Sequence, residues 1–257
     1  MMSSEGMEGN KRQVQKNFGR QALAYNANCL LADEGNLNTI IEMANVSEDD
    51  SVLDVATGTG FLAGALSKIA KEVMATDLTL EMLYQTRPKT KGNTSFCLAD
   101  VERLPFVDDY FDAVTCRVAL HHFTRPEEAI GEMQRVCGAN GRVVIMDIIS
   151  SEDDNRREYH NKMERLRDTS HVKQYSYSEL LQMFGSCGLK VDEVEKWSYH
   201  WEMEEWLAIA NPAEPGANEI RRMMRESVDG DKSGLGVEIR DGKVYFTYMA
   251  AIVVAHK

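Results

Sequence analysis

Paired cysteines, long apolar runs and an excess of basic charge are all missing from this 257-residue chain, and each absence excludes something. The five cysteines, Cys29, Cys97, Cys116, Cys137 and Cys187, are odd in number, widely spread and without a Cys-x-x-Cys pair. They read as buried free thiols rather than a disulfide framework. No His or Cys pair has a recognised ligand spacing, so no metal is expected. Lys and Arg number 29 against 41 Asp and Glu, a formal charge of −12 that repels phosphate backbones and anionic lipid. A small-molecule partner is expected, and nucleic acid is not. No apolar run reaches the ~18 residues that span a bilayer, and the polar start Met1 to Arg12 lacks the apolar core of a signal peptide. The expectation is a soluble, cytoplasmic protein with no membrane span.

What the chain does have is 43% hydrophobic residues, enough for one substantial core. Its most informative stretch is Ser51 to Gly60, where the apolar run Val52, Leu53, Val55 breaks into glycines and hydroxyls. That pattern predicts a buried strand, a glycine turn at Gly58 and Gly60, and a helix over Phe61 to Ala70, leaving backbone amides free at the turn to grip a ligand.

Residues 1–12 read as a disordered terminus. Residues 13–50 carry two helices, the first with an apolar face of Val14, Phe18, Ala22 and Tyr25, the second over Gly35 to Ala44. Phe18 and Tyr25 either pack or close a ligand pocket. In residues 51–149 strands are expected at Val73 to Thr76, Thr94 to Leu98, Phe111 to Val118 and Arg142 to Ile149, the last after a turn at Gly138 and Gly141. Helices alternate with them, one opening on Pro126. Such alternation implies a doubly wound parallel sheet, with ligands beyond the carboxyl ends of its strands. Residues 150–257 are a charged, helical, substrate-facing insert followed by strands at Leu189 to Tyr199 and Val244 to Ala255, with helices between them over Trp201 to Val228. Residues 13–257 thus form a single domain.

Gly58 to Ala63 also fits the Gly-x-Gly-x-x-Gly/Ala pattern, so a dinucleotide-dependent oxidoreductase is an alternative. Asp54 argues against it, because a carboxylate four residues before the first glycine repels a pyrophosphate and suits a cation. Asp77, 23 positions beyond Asp54, stands where a ribose diol is held.

Val-Leu-Asp-Val-Ala-Thr-Gly-Thr-Gly, Asp77, Leu98-Ala-Asp100, Phe111-Asp-Ala-Val and Ala119-Leu-His-His-Phe together resemble the class I S-adenosylmethionine-dependent methyltransferases. The resemblance covers roughly Gly19 to Ile149, and is greatest to the branch containing the ubiquinone and menaquinone biosynthesis C-methyltransferases. It implies a Rossmann-like doubly wound sheet of seven strands, mostly parallel with an antiparallel last strand, plus helical insertions. It also implies S-adenosylmethionine as cofactor, S-adenosylhomocysteine as product, and a small organic methyl acceptor. A non-catalytic relative that only binds the cofactor is the remaining alternative. Carried over residue by residue, Asp54, Ala56, Thr57, Gly58 and Gly60 line the methionine part, and Asp77 holds the ribose. Leu78 and Met82 pack on the adenine, Asp100 accepts its amine, Val101 offers an amide to the ring, and Arg117 passes the methionine end. Ala56 departs from the glycine commonest there.

A base matters only if the acceptor must lose a proton, and His121 and His122, just past the fourth strand, are the candidates. His171, Tyr175 and Tyr177 face the acceptor or pack in the insert. Trp197, Trp201 and Trp206 read as structural, and Arg156, Arg157, Arg165 and Arg167 as a solvated helix face.

Overall fold

The Ser51–Val55 stretch is strand β1, inside the sheet, in a computed structural model that describes residues 4–26 and 34–257. The side chains of residues 4, 5, 24–26 and 34 are outside the described residues, so the expectation for Tyr25 falls outside them, as does Cys29. Ahead of β1 come the helices α1 (Ser4–Asn26) and α2 (Glu34–Ala44). After it follow α3 (Phe61–Leu66), β2 (Glu72–Asp77), α4 (Leu80–Thr86), β3 (Thr94–Leu98), β4 (Phe111–Arg117), α5 (Pro126–Val136) and β5 (Cys137–Ile149). The remainder comprises α6 (Asp154–Arg167), α7 (Tyr177–Ser186), β6 (Lys190–Glu202), α8 (Met203–Ala210), α9 (Glu214–Ser227), β7 (Glu238–Arg240) and β8 (Lys243–His256).

The strands lie in the order β3-β2-β1-β4-β5-β8-β6, with β7 added along β8. The first five are mutually parallel, and β8 runs antiparallel to β5 and β6. Alternation along the buried strands feeds two cores. Leu53, Val55, Val114, Cys116, Val143 and Ile145 face α5 and α7, whereas Val52, Ala113, Val144, Met146 and Ile252 face α2 and α3. A third core joins α6, α8 and α9 to the first half of β8 through Met163, Trp206, Ile220, Met223 and Phe246.

Local chemistry explains the elements that frame the site. α5 has Pro126 in its first turn, Glu127 and Glu128 beside it, and Arg135 in its last turn, each suited to the helix dipole. Its buried face is Ala129, Ile130, Met133 and Val136. α7 opens on a capping box in which Ser176 and Glu179 satisfy each other's backbone amides.

Four expectations need correction. The sheet has eight strands, not seven, because β7 folds back on β8 through Asp241 and Gly242, at φ 51° and 77°. Asp-Gly is the standard two-residue hairpin turn, so the signal was there. α1 begins at Ser4, so the terminus expected to be disordered through position 12 is helical from Ser4 onward. Gly138 and Gly141 do not bracket a turn but lie within the irregular start of β5; a Cβ at Gly141 would stand 2.9 Å from the Phe111 and Asp112 carbonyls. The arginines of α6 are not uniformly solvated: Arg157 pairs with Asp154 and Glu179, and Arg167 lies over the Trp206 ring.

The strand order reverses direction between β1 and β4, and the carboxyl ends of β1, β2 and β4 open there into a cavity.

Candidate active site

Asp54 closes the floor of this cavity. It is buried at the end of β1, accepting hydrogen bonds from the hydroxyls of Thr57 at 2.5 Å and Thr115 at 2.8 Å. Burial pushes its pKa up to about 6, against the pull of those hydroxyls and of Arg117. Asp77, at the end of β2, accepts from the amides of Gly58 at 2.9 Å and Thr79 at 2.8 Å, and burial likewise raises it to about 6. Two buried carboxylates in one pocket, each costly to ionise, suit a cationic ligand.

The turn between them is strained. Ala56 adopts φ 52° and Gly58 φ 56°, the left-handed region. A Cβ on Gly58 would meet nothing within 4 Å, so its bare backbone faces open space. Gly60 serves differently: at φ 82°, a Cβ there would stand 2.7 Å from the Thr86 backbone, so it packs α3 against α4 and is not on the cavity wall.

The cavity, about 160 Å³, is further lined by Phe18, Ala56, Thr57, Leu78, Met82, Asp100, Val101, Arg117 and His122. The structure thus brings together every described residue expected to bind the cofactor except Gly60. Sequence reasoning missed Lys11, Val14 and Glu102. Lys11 Nζ lies 2.6 Å from Asp100 Oδ2 and 2.5 Å from Glu102 Oε2, tying α1 to the cavity rim. Burial opposes charge on Glu102, yet Lys11, Thr124 and Arg125 together hold its carboxyl below the usual range. The signal was available, since Lys11 stands three residues before Val14 and seven before Phe18, on the same helix face.

Behind Phe18 and His122 lies a second cavity, about 130 Å³, sharing Phe18, Arg117, Val118 and His122 with the first. Val118, a β-branched residue at φ 53°, sits at the junction, a strained backbone of the kind concentrated at functional sites. Trp201, Trp206, Tyr199 and Tyr248 line the second cavity, so two of the three tryptophans expected to be structural also form a cavity wall.

His121 and His122 occupy a 3-10 turn directly after β4 and part company chemically. His121 Nδ1 is 2.8 Å from Asp147 Oδ1 on β5, and His121 lines the second cavity. A carboxylate only accepts, so Nδ1 carries the proton and Nε2 the lone pair. Burial disfavours the cation, but the charge and hydrogen bond of Asp147 outweigh it and raise the pKa. His122 Nδ1 faces the Ser170 carbonyl at 3.2 Å, and the ring stands edge-on to Phe18 at 4.9 Å. Burial and the neighbouring His121 hold it well below the usual histidine range. His171 packs 5.6 Å from His121, its Nε2 2.9 Å from Asn161 Oδ1. Among the described residues no cluster of His, Cys, Asp or Glu could hold a metal, and no helix is long and apolar enough to cross a membrane. Of the cysteines, Cys116 and Cys137 are buried, whereas Cys97 and Cys187 are half-buried thiols.

Comparison with known proteins places the chain in a family. The family profile of the methyltransferase domain matches residues 53–145. The uncharacterized methyltransferase YcgJ of Bacillus subtilis is 34% identical over 194 residues, covering 74% of this chain and 77% of the relative. Its crystal structure superposes with a TM-score of 0.81, covering 86% of this chain and 97% of that one at 29% identity. The ubiquinone/menaquinone biosynthesis C-methyltransferase UbiE of Pseudomonas paraeruginosa is 38% identical over 115 residues, only 42% of this chain and 45% of the relative. The dinucleotide reading of Gly58 to Ala63 is thereby set aside. The chain belongs to the S-adenosylmethionine-dependent methyltransferases, built on the class I fold.

Proposed function

We propose that this enzyme methylates a small organic acceptor seated in the second cavity, with His121 taking the acceptor's proton. The observation that carries the reading is the His121–Asp147 pair on the wall of a cavity that adjoins the acidic one. S-adenosylmethionine supplies a methyl group on a positively charged sulfur.

The residues present suit that group. Buried Asp54 and Asp77 offer negative charge, and Gly58 offers an open cradle. Each Asp77 oxygen spends one lone pair on a backbone amide and keeps another for a ribose hydroxyl. With the cofactor bound, Leu78, Met82 and Val101 would flank its adenine, Asp100 would accept its amine, and Arg117 would set its methionine end against Asp54. Lys11 holds α1 across the opening, and Phe18 separates donor from acceptor while excluding water.

The chemistry asks little else of the protein. As the acceptor takes the methyl group and the donor sulfur becomes a neutral thioether, His121 Nε2 would take the acceptor's proton, and Asp147 would stabilise the resulting imidazolium. Positioning supplies most of the acceleration, with effective molarities of ~10⁵ M or more in favourable cases. The test is incubation with methyl-labelled cofactor and fractionated extract. Label in a low-molecular-mass product supports the reading, and label confined to protein or RNA rejects it.

A further inference from the structure

The two cavities differ in charge. Asp54, Asp77, Asp100 and Glu102 line the first, against Lys11 and Arg117. The second is lined by Arg117, Arg167 and His121, with Glu164 the one carboxylate among its described lining residues. Glu164 accepts from the Tyr248 hydroxyl, and His160 Nε2 and Arg167 Nη1 stand at 3.4 and 3.5 Å, so Glu164 and Arg167 partly compensate each other. With two arginines and one carboxylate, the second cavity is far less acidic than the first, and burial keeps its charges from being screened.

Arg167 is held in place rather than left to sample solvent. Its guanidinium lies 4.5 Å above the Trp206 ring, and its Nε is 3.4 Å from the Trp206 carbonyl. Around it stand Trp201, Tyr199 and Tyr248, flat apolar faces suited to a planar ligand. A volume of about 130 Å³ is close to the roughly 150 Å³ cavity known to accept one benzene ring.

We propose that the second cavity takes a single-ring aromatic or conjugated acid, its carboxylate paired with Arg167 and its ionisable hydroxyl toward His121. This rests on the acceptor-site reading above and goes beyond it by naming the acceptor's class. An anionic acceptor is also attracted to the cationic sulfur of the donor across the Phe18 seam.

The test is calorimetric titration of the full chain, saturated with S-adenosylhomocysteine, with the isomeric hydroxybenzoates, their methyl esters and the aminomethylphenols. The acids are expected to bind, and the esters and amines to bind at least about tenfold more weakly. Arg167→Gln should abolish that preference and Arg167→Lys should keep part of it. The acid-over-ester ratio in the unaltered chain decides the matter even if a variant fails to fold. Esters or amines binding as tightly as the acids would overturn the proposal. So would absence of acid binding in a protein that binds S-adenosylhomocysteine and labels a small molecule, with the acceptor-site reading left standing. Label confined to protein or RNA would overturn both.

Discussion

His121 Nδ1 and Asp147 Oδ1 lie 2.8 Å apart, joining the turn after β4 to the middle of the sheet. The pair fixes which imidazole nitrogen is basic. His121→Asn should therefore lower kcat about 10²- to 10⁴-fold, the range of a lost general base. Affinity for S-adenosylhomocysteine should hardly change, because His121 is not on the wall of the first cavity.

The same pair sets a pH profile. His121 must be neutral to accept a proton, and its pKa is raised, so kcat/KM should fall on the acid side with a midpoint above the ordinary histidine value. Asp147→Asn removes the charge that does the raising, so the midpoint should move to lower pH as the plateau drops. His122, His171, Glu164 and Asp168 also bear on His121, and they remain in that variant.

Asp54 and Asp77 link cofactor affinity to pH. Their folded values, about 6, lie above the unfolded carboxylate value, so ligand-free protein binds extra protons between the two. Their ionisation costs stability as pH rises through about 6, and a bound cation offsets that cost. Affinity for S-adenosylmethionine should be lower at about pH 5 than at about pH 7.5, with protons released on binding at the lower pH. Calorimetry in buffers of different ionisation enthalpy measures the release.

Ala56 at φ 52° stores strain that glycine would not. Ala56→Gly should raise stability by about 1 kcal/mol or less, partly cancelled by the freer unfolded chain, and the melting temperature by about 2 °C. Differential scanning calorimetry reads it.

Lys11 bridges Asp100 and Glu102 from a half-exposed position. Lys11→Met should weaken cofactor binding a few-fold, of the order of 1 kcal/mol, and the difference should shrink at high salt. Titration at two ionic strengths tests this.

Much of the donor half was legible because its chemistry is local. Asp54, Gly58 and Asp77 belong to strand ends and a turn whose composition dictates the backbone, and the structure gathers them around one cavity. The acceptor half was not, since its walls are assembled from distant segments. Arg167 on α6, Trp206 on α8 and Tyr248 on β8 meet only through tertiary packing, and so do Asp147 on β5 and His121 after β4, 26 positions apart in sequence. The close approach of Gly60 to Thr86 lies between two helices, a contact that sequence does not show.

One comparison bears most directly on the claim that this enzyme methylates a small acceptor with His121 as base. Native protein and His121→Asn, each shown to bind S-adenosylhomocysteine, are incubated with methyl-labelled cofactor and the small-molecule fraction of extract. The account predicts a labelled small product from the native chain and a loss of at least about a hundredfold in the variant. Equal labelling by both, or label found only in macromolecules, would contradict it.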